Sequence, residues 1–100
     1  MVEKALLVRI CFDKREEEES RSLLEELAEL VATLGIGVVG AQLVRARQTQ
    51  KKFLCGKGKA EEVASQAREL GCDCIVFDNQ LAPNQQREWE EAADMTVIDR

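Results

Sequence analysis

The residues best suited to bind a ligand are basic and lie close together in the middle of the chain. Six of the fourteen Lys and Arg residues fall between Arg45 and Lys59, a stretch that has no acidic residue and that we call the basic segment. In a chain of net charge −5, this clustering predicts one localised contact with phosphate or another anion, not a general affinity for nucleic acid. Its charged members are Arg45, Arg47, Lys51, Lys52, Lys57 and Lys59.

The basic segment ends in Gly56-Lys57-Gly58-Lys59, which is similar to part of a phosphate-binding loop. It is not a Walker A motif, because the upstream glycine is missing and Ala60 stands where a magnesium-binding hydroxyl is needed. Two glycines in front of a helix can expose backbone N–H groups, and Lys57 and Lys59 add charge for an anion. Three interpretations stay open: an RNA-backbone or other anion contact, a nucleotide site, and a solvated, flexible turn.

A second group of polar residues follows the third predicted strand. Asp78 ends that strand, which is a common place for a ligand-handling carboxylate, and Gln85 and Arg87 lie in the first turns of the next predicted helix. We expect these residues to form a ligand rim beside the basic segment. The alternatives are a capping or turn role for Asp78 and a solvated helix face for Gln85 and Arg87.

The side chains that most often carry catalysis give no constellation here. The chain has no histidine and no tyrosine, and its serines fall on predicted helices. We therefore assign no catalytic residue, and enzymatic activity stays undecided.

The four cysteines are expected to be reduced packing residues, with redox chemistry or metal binding as the alternatives. If Cys72 and Cys74 both lie on a strand, their thiols share one face. A zinc site needs about four ligands, but there is no histidine and Cys11 and Cys55 are isolated, so we predict no metal site.

Elements that alternate between strand and helix must position these residues. Apolar runs predict strands at residues 5–12, 36–44, 74–77 and 96–98. Asp13, with Glu16 in capping-box spacing, is expected to start the first helix, which Gly35 ends. The second helix follows the basic segment and is expected to end at Gly71, and the third spans Pro83–Ala93. One apolar stripe is expected on the first helix, formed by Leu23, Leu24, Leu27, Leu30, Val31 and Leu34.

The order β-α-β-α-β-α-β predicts an α/β fold in which helices flank a four-stranded parallel sheet, with strand order 2-1-3-4. We expect one domain over residues 1–100. The basic segment, as a long and flexible loop, and the turn at 78–83 both leave carboxyl ends of strands, so they are expected at the same edge of the sheet. No apolar run approaches the ~20 residues of a membrane span, and the N-terminus lacks signal-peptide organisation, so we expect a cytoplasmic protein without a membrane partner.

Three stretches of the chain together resemble the N-terminal domain of the HflX-type translational GTPases. They are Phe53–Glu62, with Gly-Lys-Gly-Lys and a Glu-Glu helix start; Val76–Glu90, with Phe-Asp-Asn-Gln-Leu-Ala-Pro-Asn-Gln-Gln-Arg; and the final Val97-Ile98-Asp99-Arg100. The likeness covers nearly the whole chain. Ala82 departs from it, since the family usually has a serine before the proline.

The resemblance implies an N-terminal domain whose downstream helical and G domains are not in this chain. GTP and Mg²⁺ would then bind in that G domain, and no cofactor is expected in these 100 residues. The implied partners are the large ribosomal subunit and its RNA, contacted through the basic segment to support ribosome splitting or rescue. Two alternatives stay open: an ATP-binding module that uses the Gly-x-Gly-Lys loop, and a protein-interaction domain that docks on the G domain.

Overall fold

Strands and helices alternate along the chain in the computed structural model, which describes residues 2–99. Arg100, the last residue of the family-like C-terminal motif, lies outside the described residues. The elements are β1 (Lys4–Cys11), a short 3₁₀ turn (Lys14–Glu16), α1 (Glu17–Thr33), β2 (Gly37–Arg45), α2 (Lys57–Glu69), β3 (Cys74–Phe77), α3 (Pro83–Ala93) and β4 (Thr96–Ile98).

The four strands form one parallel sheet in the order β2-β1-β3-β4. This confirms the predicted α/β fold and strand order. Residues 5–8 of β1 are all buried, because this central strand has a neighbour on each side and helices over both of its faces. β1 pairs with β2 from Lys4 opposite Gly37 to Cys11 opposite Arg45, so the basic segment begins at the carboxyl edge of the sheet.

Alternate residues of β1 belong to two separate parts of the core. Leu6 and Val8 pack into the larger cluster with α2 and α3, whereas Ala5 and Leu7 pack under α1. Since successive side chains of a strand point to opposite faces, α1 covers one face of the sheet and α2 and α3 cover the other. The larger cluster is built around Trp89, which is fully buried.

Glycines end the first two helices as predicted, at φ +84° for Gly35 and +74° for Gly71. The predicted first residues of these two helices need correction. Asp13 caps the 3₁₀ turn by accepting a hydrogen bond from the Arg15 amide, so it does not pair with Glu16 in a capping box. Helix α2 begins at Lys57, which makes Gly56 its N-cap and places the second glycine of the Gly-x-Gly-Lys motif inside the first turn.

The predicted apolar stripe of α1 is buried along only part of its width. Leu24, Leu27 and Val31 contact the sheet, whereas 54% of Leu30 and 75% of Leu34 are exposed. The exposed leucines lie on the side of α1 that borders β3 and β4, where no other described helix covers them.

All four cysteines are free thiols, and Cys11, Cys55 and Cys74 are buried, as expected of packing residues. The expectation that Cys72 and Cys74 share one face is wrong. Cys72 precedes β3 and packs against the larger cluster, whereas Cys74 lies in the cluster under α1. Within residues 2–99, no group of three or more Cys, Asp and Glu residues is arranged to hold a metal ion. No helix in the same range has both the length and the apolar character needed to cross a membrane.

Candidate functional site

The connection between β2 and α2 carries most of the basic segment and is packed on the core. Phe53 and Cys55 are buried, and the backbones of Gln50 and Leu54 pair through N–H···O bonds of 3.3 and 3.1 Å. Burial raises the pKa of the Cys55 thiol to about 11. The expectation of a flexible loop is therefore wrong, because apolar side chains within it fill the space over α2 and α3.

Helix α3 also holds this connection through three side-chain hydrogen bonds to its carbonyl groups. Trp89 Nε1 donates to the oxygen of Phe53 at 3.0 Å. The side-chain amides of Asn84 and Gln85 donate to the oxygens of Lys51 and Gln50, at 3.1 and 3.2 Å. These bonds satisfy carbonyl groups that a loop would otherwise present to water, so the segment has a defined shape before any ligand arrives.

All six cations of the basic segment are exposed. Four have an acidic neighbour, in pairs that are open to solvent. Such pairs contribute about 0–1 kcal/mol, so a phosphate group can replace the carboxylate at little cost. Arg47 and Lys51 have no acidic group within 4.0 Å among residues 2–99. The four pairs are Arg45–Glu17 (3.9 Å), Lys52–Glu88 (3.5 Å), Lys57–Glu61 (4.0 Å) and Lys59–Glu62 (3.6 Å).

The N-terminus of α2 adds backbone donors to this positive surface. Gly56 is an extended N-cap without a side chain, and the first turn contains Lys57 and Lys59 but no acidic residue. Gly56 and Gly58 are both exposed, and a Cβ atom placed on either would meet no atom within 4 Å, so no side chain of another element covers these glycines. Free N–H groups, the positive end of the helix dipole and two lysines can together hold an anionic oxygen.

Asp78 is not available at a ligand rim, because its side chain is buried and paired with Arg9. The guanidinium NH1 group donates to the Asp78 carboxylate at 2.9 Å and to its backbone oxygen at 3.3 Å, and Arg9 Nε donates to Ser20 Oγ at 3.0 Å. These contacts join β1, α1 and the end of β3. Sequence reasoning missed Arg9, although a lone arginine inside an apolar strand was a signal that a buried partner had to exist.

The crevice between the carboxyl ends of β1 and β3 is closed by Asn79. Its side-chain amide accepts from the Ile10 N–H at 2.7 Å and donates to the Ile10 oxygen at 2.9 Å. In parallel α/β sheets, this point, where the strand order reverses, is the usual ligand crevice. In this protein the Asn79 side chain occupies the crevice and bonds the backbone of Ile10 as a neighbouring strand would.

The other two residues of the predicted ligand rim, Gln85 and Arg87, differ in exposure. Gln85 is buried, and its Oε1 accepts from the Ala82 N–H at 2.9 Å while its amide group reaches Gln50, whereas Arg87 is exposed. The six cations of the basic segment are therefore exposed, whereas Asp78 and Gln85 have structural partners.

These features define a small parallel α/β domain whose exposed basic segment begins at the carboxyl edge of the sheet. Residues 21–100 match the family model described as GTP-binding GTPase N-terminal, and the chain belongs to this family. The predicted resemblance to the N-terminal domain of HflX-type GTPases is thereby confirmed.

Individual relatives agree with this assignment. The chain is 52% identical over 100 residues to the GTPase HflX of Akkermansia muciniphila, a match that covers all of this chain and 23% of the relative. It is 43% identical over 82 residues to the GTPase HflX of Spirochaeta thermophila, covering 82% of this chain and 20% of the relative. With the GTPase HflX of Escherichia coli K12 it shares 32% identity over 98 residues, covering 98% of this chain and 22% of the relative. The chain thus spans less than a quarter of the length of these relatives.

Proposed function

We propose that this domain holds an HflX-type GTPase on the large ribosomal subunit by contacting ribosomal RNA phosphates through the basic segment, and so supports ribosome splitting or rescue. The observation that carries the proposal is the placement of six exposed cations on one supported segment, while 8 basic and 19 acidic residues lie in the rest of the chain. A domain with this charge pattern is repelled by RNA except where the segment faces it.

The support given to the segment favours a specific contact. Lysine and arginine side chains lose freedom when they bind, but the backbone of residues 50–53 is already fixed by α3. Less ordering free energy then opposes binding than for a disordered basic loop. The open N-terminus of α2 supplies a further phosphate position next to Lys57 and Lys59.

The residues do not fit GTP in this domain. Ala60 is buried and has no hydroxyl group to bind Mg²⁺, and the carboxylate of Asp78 is paired with Arg9. In the proposed arrangement GTP and Mg²⁺ belong to the G domain, and the cytoplasm, where ribosomes act, is the expected location.

The test is binding to purified large subunits across a series of salt concentrations. Replacing four lysines of the segment with alanine should weaken binding strongly at low salt. It should also make the slope of log K against log[salt] less steep by about 2.8–3.6, since each of the four lost phosphate contacts contributes about 0.7–0.9. The four substitutions are Lys51→Ala, Lys52→Ala, Lys57→Ala and Lys59→Ala.

A control must separate this effect from the change in net charge. Four basic residues outside the segment can be replaced with alanine to give a protein of the same net charge, which should keep most of the parent salt dependence. Equal losses in the two variants, or unchanged affinity in the segment variant, would rule out the proposal. The control substitutions are Lys4→Ala, Lys14→Ala, Arg21→Ala and Arg68→Ala.

A further inference from the structure

The two faces of the sheet are covered unequally. Helices α2 and α3 pack side by side on one face, whereas α1 is the only described helix on the other and contacts mainly β1 and β2. A groove of about 340 Å³ therefore remains beside α1, over β3 and β4. Parallel sheets normally have both faces covered by helices, so this groove lies where a further helix would complete the layer.

The groove exposes large apolar side chains from both of its walls. Leu30 of α1 is 54% exposed, Leu34, which caps the end of α1 one turn later, is 75% exposed, and Ile98 of β4 is 38% exposed. Val76 forms part of the floor and pairs in register with Ile98, so both point to the face that α1 covers. Leucines at i and i+4 form a ridge against which a second helix can pack at an interaxial distance of about 8–10 Å.

The charged groups of the described residues around the groove are negative. Glu26 and Glu29 lie beside Leu30 and Thr33 on α1, and no basic residue occurs in residues 23–33 of this helix. Asp99 lies on the opposite wall, where its carboxylate also accepts a hydrogen bond from the Leu81 N–H at 2.7 Å. The carboxyl end of α1, where the helix dipole is negative, also borders the groove. A second copy of this chain packed through the same surface would bring these carboxylates together, whereas a partner with lysine or arginine beside its apolar residues would pair with them.

We propose that this groove binds an amphipathic α-helix whose apolar stripe is flanked by lysine or arginine residues. The apolar stripe packs on Leu30, Leu34 and Ile98, and the flanking cations face Glu26, Glu29 and Asp99. The groove uses no residue of the basic segment, so this proposal stands independently of RNA binding.

The test uses a synthetic helical peptide of about 18 residues, long enough to form a helix in water, with leucines on one face and lysines on both sides of them. Binding to the 100-residue chain is measured by titration, and amide chemical shifts locate the site. The largest shifts are expected at residues 27–34 and 96–99. Leu34→Gln should weaken binding about tenfold or more while leaving the thermal midpoint nearly unchanged, because this leucine contributes little to the core.

Matched controls make each part of the proposal testable. Leu70→Gln changes another exposed leucine, 40% exposed and at the end of α2, and should leave binding unchanged. The same peptide with glutamates in place of lysines should bind at least about tenfold more weakly. The proposal would be overturned if the peptide did not bind, or if its affinity did not depend on Leu34 and on the charge of the peptide. It would also be overturned if the chemical shift changes lay outside the groove, or if sedimentation showed that the chain dimerises through Leu34.

Discussion

The indole Nε1 of Trp89 donates a 3.0 Å hydrogen bond to the backbone oxygen of Phe53, and this bond joins α3 to the middle of the basic segment inside the core. The indole also contacts the rings of Phe53 and Phe77 edge to face, with centroids 5.5 and 4.8 Å apart. One side chain therefore connects the candidate RNA-binding surface to the sheet.

Trp89→Phe should destabilise the fold and loosen the basic segment in particular. The substitution leaves the Phe53 carbonyl without its buried donor and removes packing volume, which together should cost roughly 2–3 kcal/mol of the free energy of unfolding. Hydrogen exchange should speed up at residues 50–55 more than in α1. Phe77→Leu is the control: it weakens the core but keeps the indole bond, so selective loosening of the segment in both variants would contradict this account.

Asp78→Ala should lower the free energy of unfolding by about 3 kcal/mol, because it leaves the largely buried Arg9 guanidinium without its carboxylate. Arg9→Met combined with Asp78→Ala should cost less than the two single changes added together, as measured by urea denaturation. The exposed pair of Arg15 and Asp13 gives a comparison, and Arg15→Ala should change stability far less than Asp78→Ala, because water screens this pair. If Asp78→Ala were equally mild, a structural role for Asp78 would be wrong.

Two glycines in open space should respond in opposite directions to alanine. Gly58 lies in the first turn of α2, so Gly58→Ala should stabilise the protein by up to about 1 kcal/mol through helix propensity. Gly35 has φ +84°, so Gly35→Ala should destabilise it by about 1 kcal/mol. No neighbouring atom lies within 4 Å of either added Cβ, so the backbone conformation alone separates the two results, which chemical denaturation can measure.

Stability should fall between about pH 9 and 11 because of two buried thiols. Burial raises the pKa of Cys55 and of Cys74 from 9.0 to about 11. In this window the unfolded chain releases protons that the folded chain keeps, so the unfolded state gains stability as the pH rises. In Cys55→Ala the fall measured by denaturation from pH 8 to 10.5 should be smaller than in the parent protein. An identical fall in both proteins would mean that Cys55 does not contribute.

The fold was predictable because its determinants are local. Strand and helix periods alternate without ambiguity, Gly35 and Gly71 mark helix ends, and Pro83 marks the start of α3. The strand order was predicted from the pattern of doubly wound folds, since right-handed crossovers fix the side on which each helix lies but not which strands are neighbours. The start of α2 was missed by three residues, because lysine and glycine in the first turn carry no apolar periodicity.

The candidate site was predictable only in its charges. The tethers of the basic segment and the Arg9–Asp78 pair join residues that lie 33 to 69 positions apart, and no local pattern reports such partners. The apolar run of the segment, Phe53 to Cys55, is too short to distinguish a packed connection from an exposed one. The polar residues after β3 were predicted to be available for a ligand. Their hydrogen-bond partners lie in β1 and in the basic segment, which are far away in the sequence, so the sequence did not reveal them.

The three tethers on α3 have a mechanical consequence. The side chains of Asn84, Gln85 and Trp89 lie on one side of α3, and all three donate hydrogen bonds to the backbone of residues 50–53. A rotation or shift of α3 therefore moves the backbone at Lys51 and Lys52 together with the helix. Strand β4 follows α3 directly in the chain. A force applied at the carboxyl end of β4 therefore reaches Lys51 and Lys52 through α3, without first passing through β1 or β2.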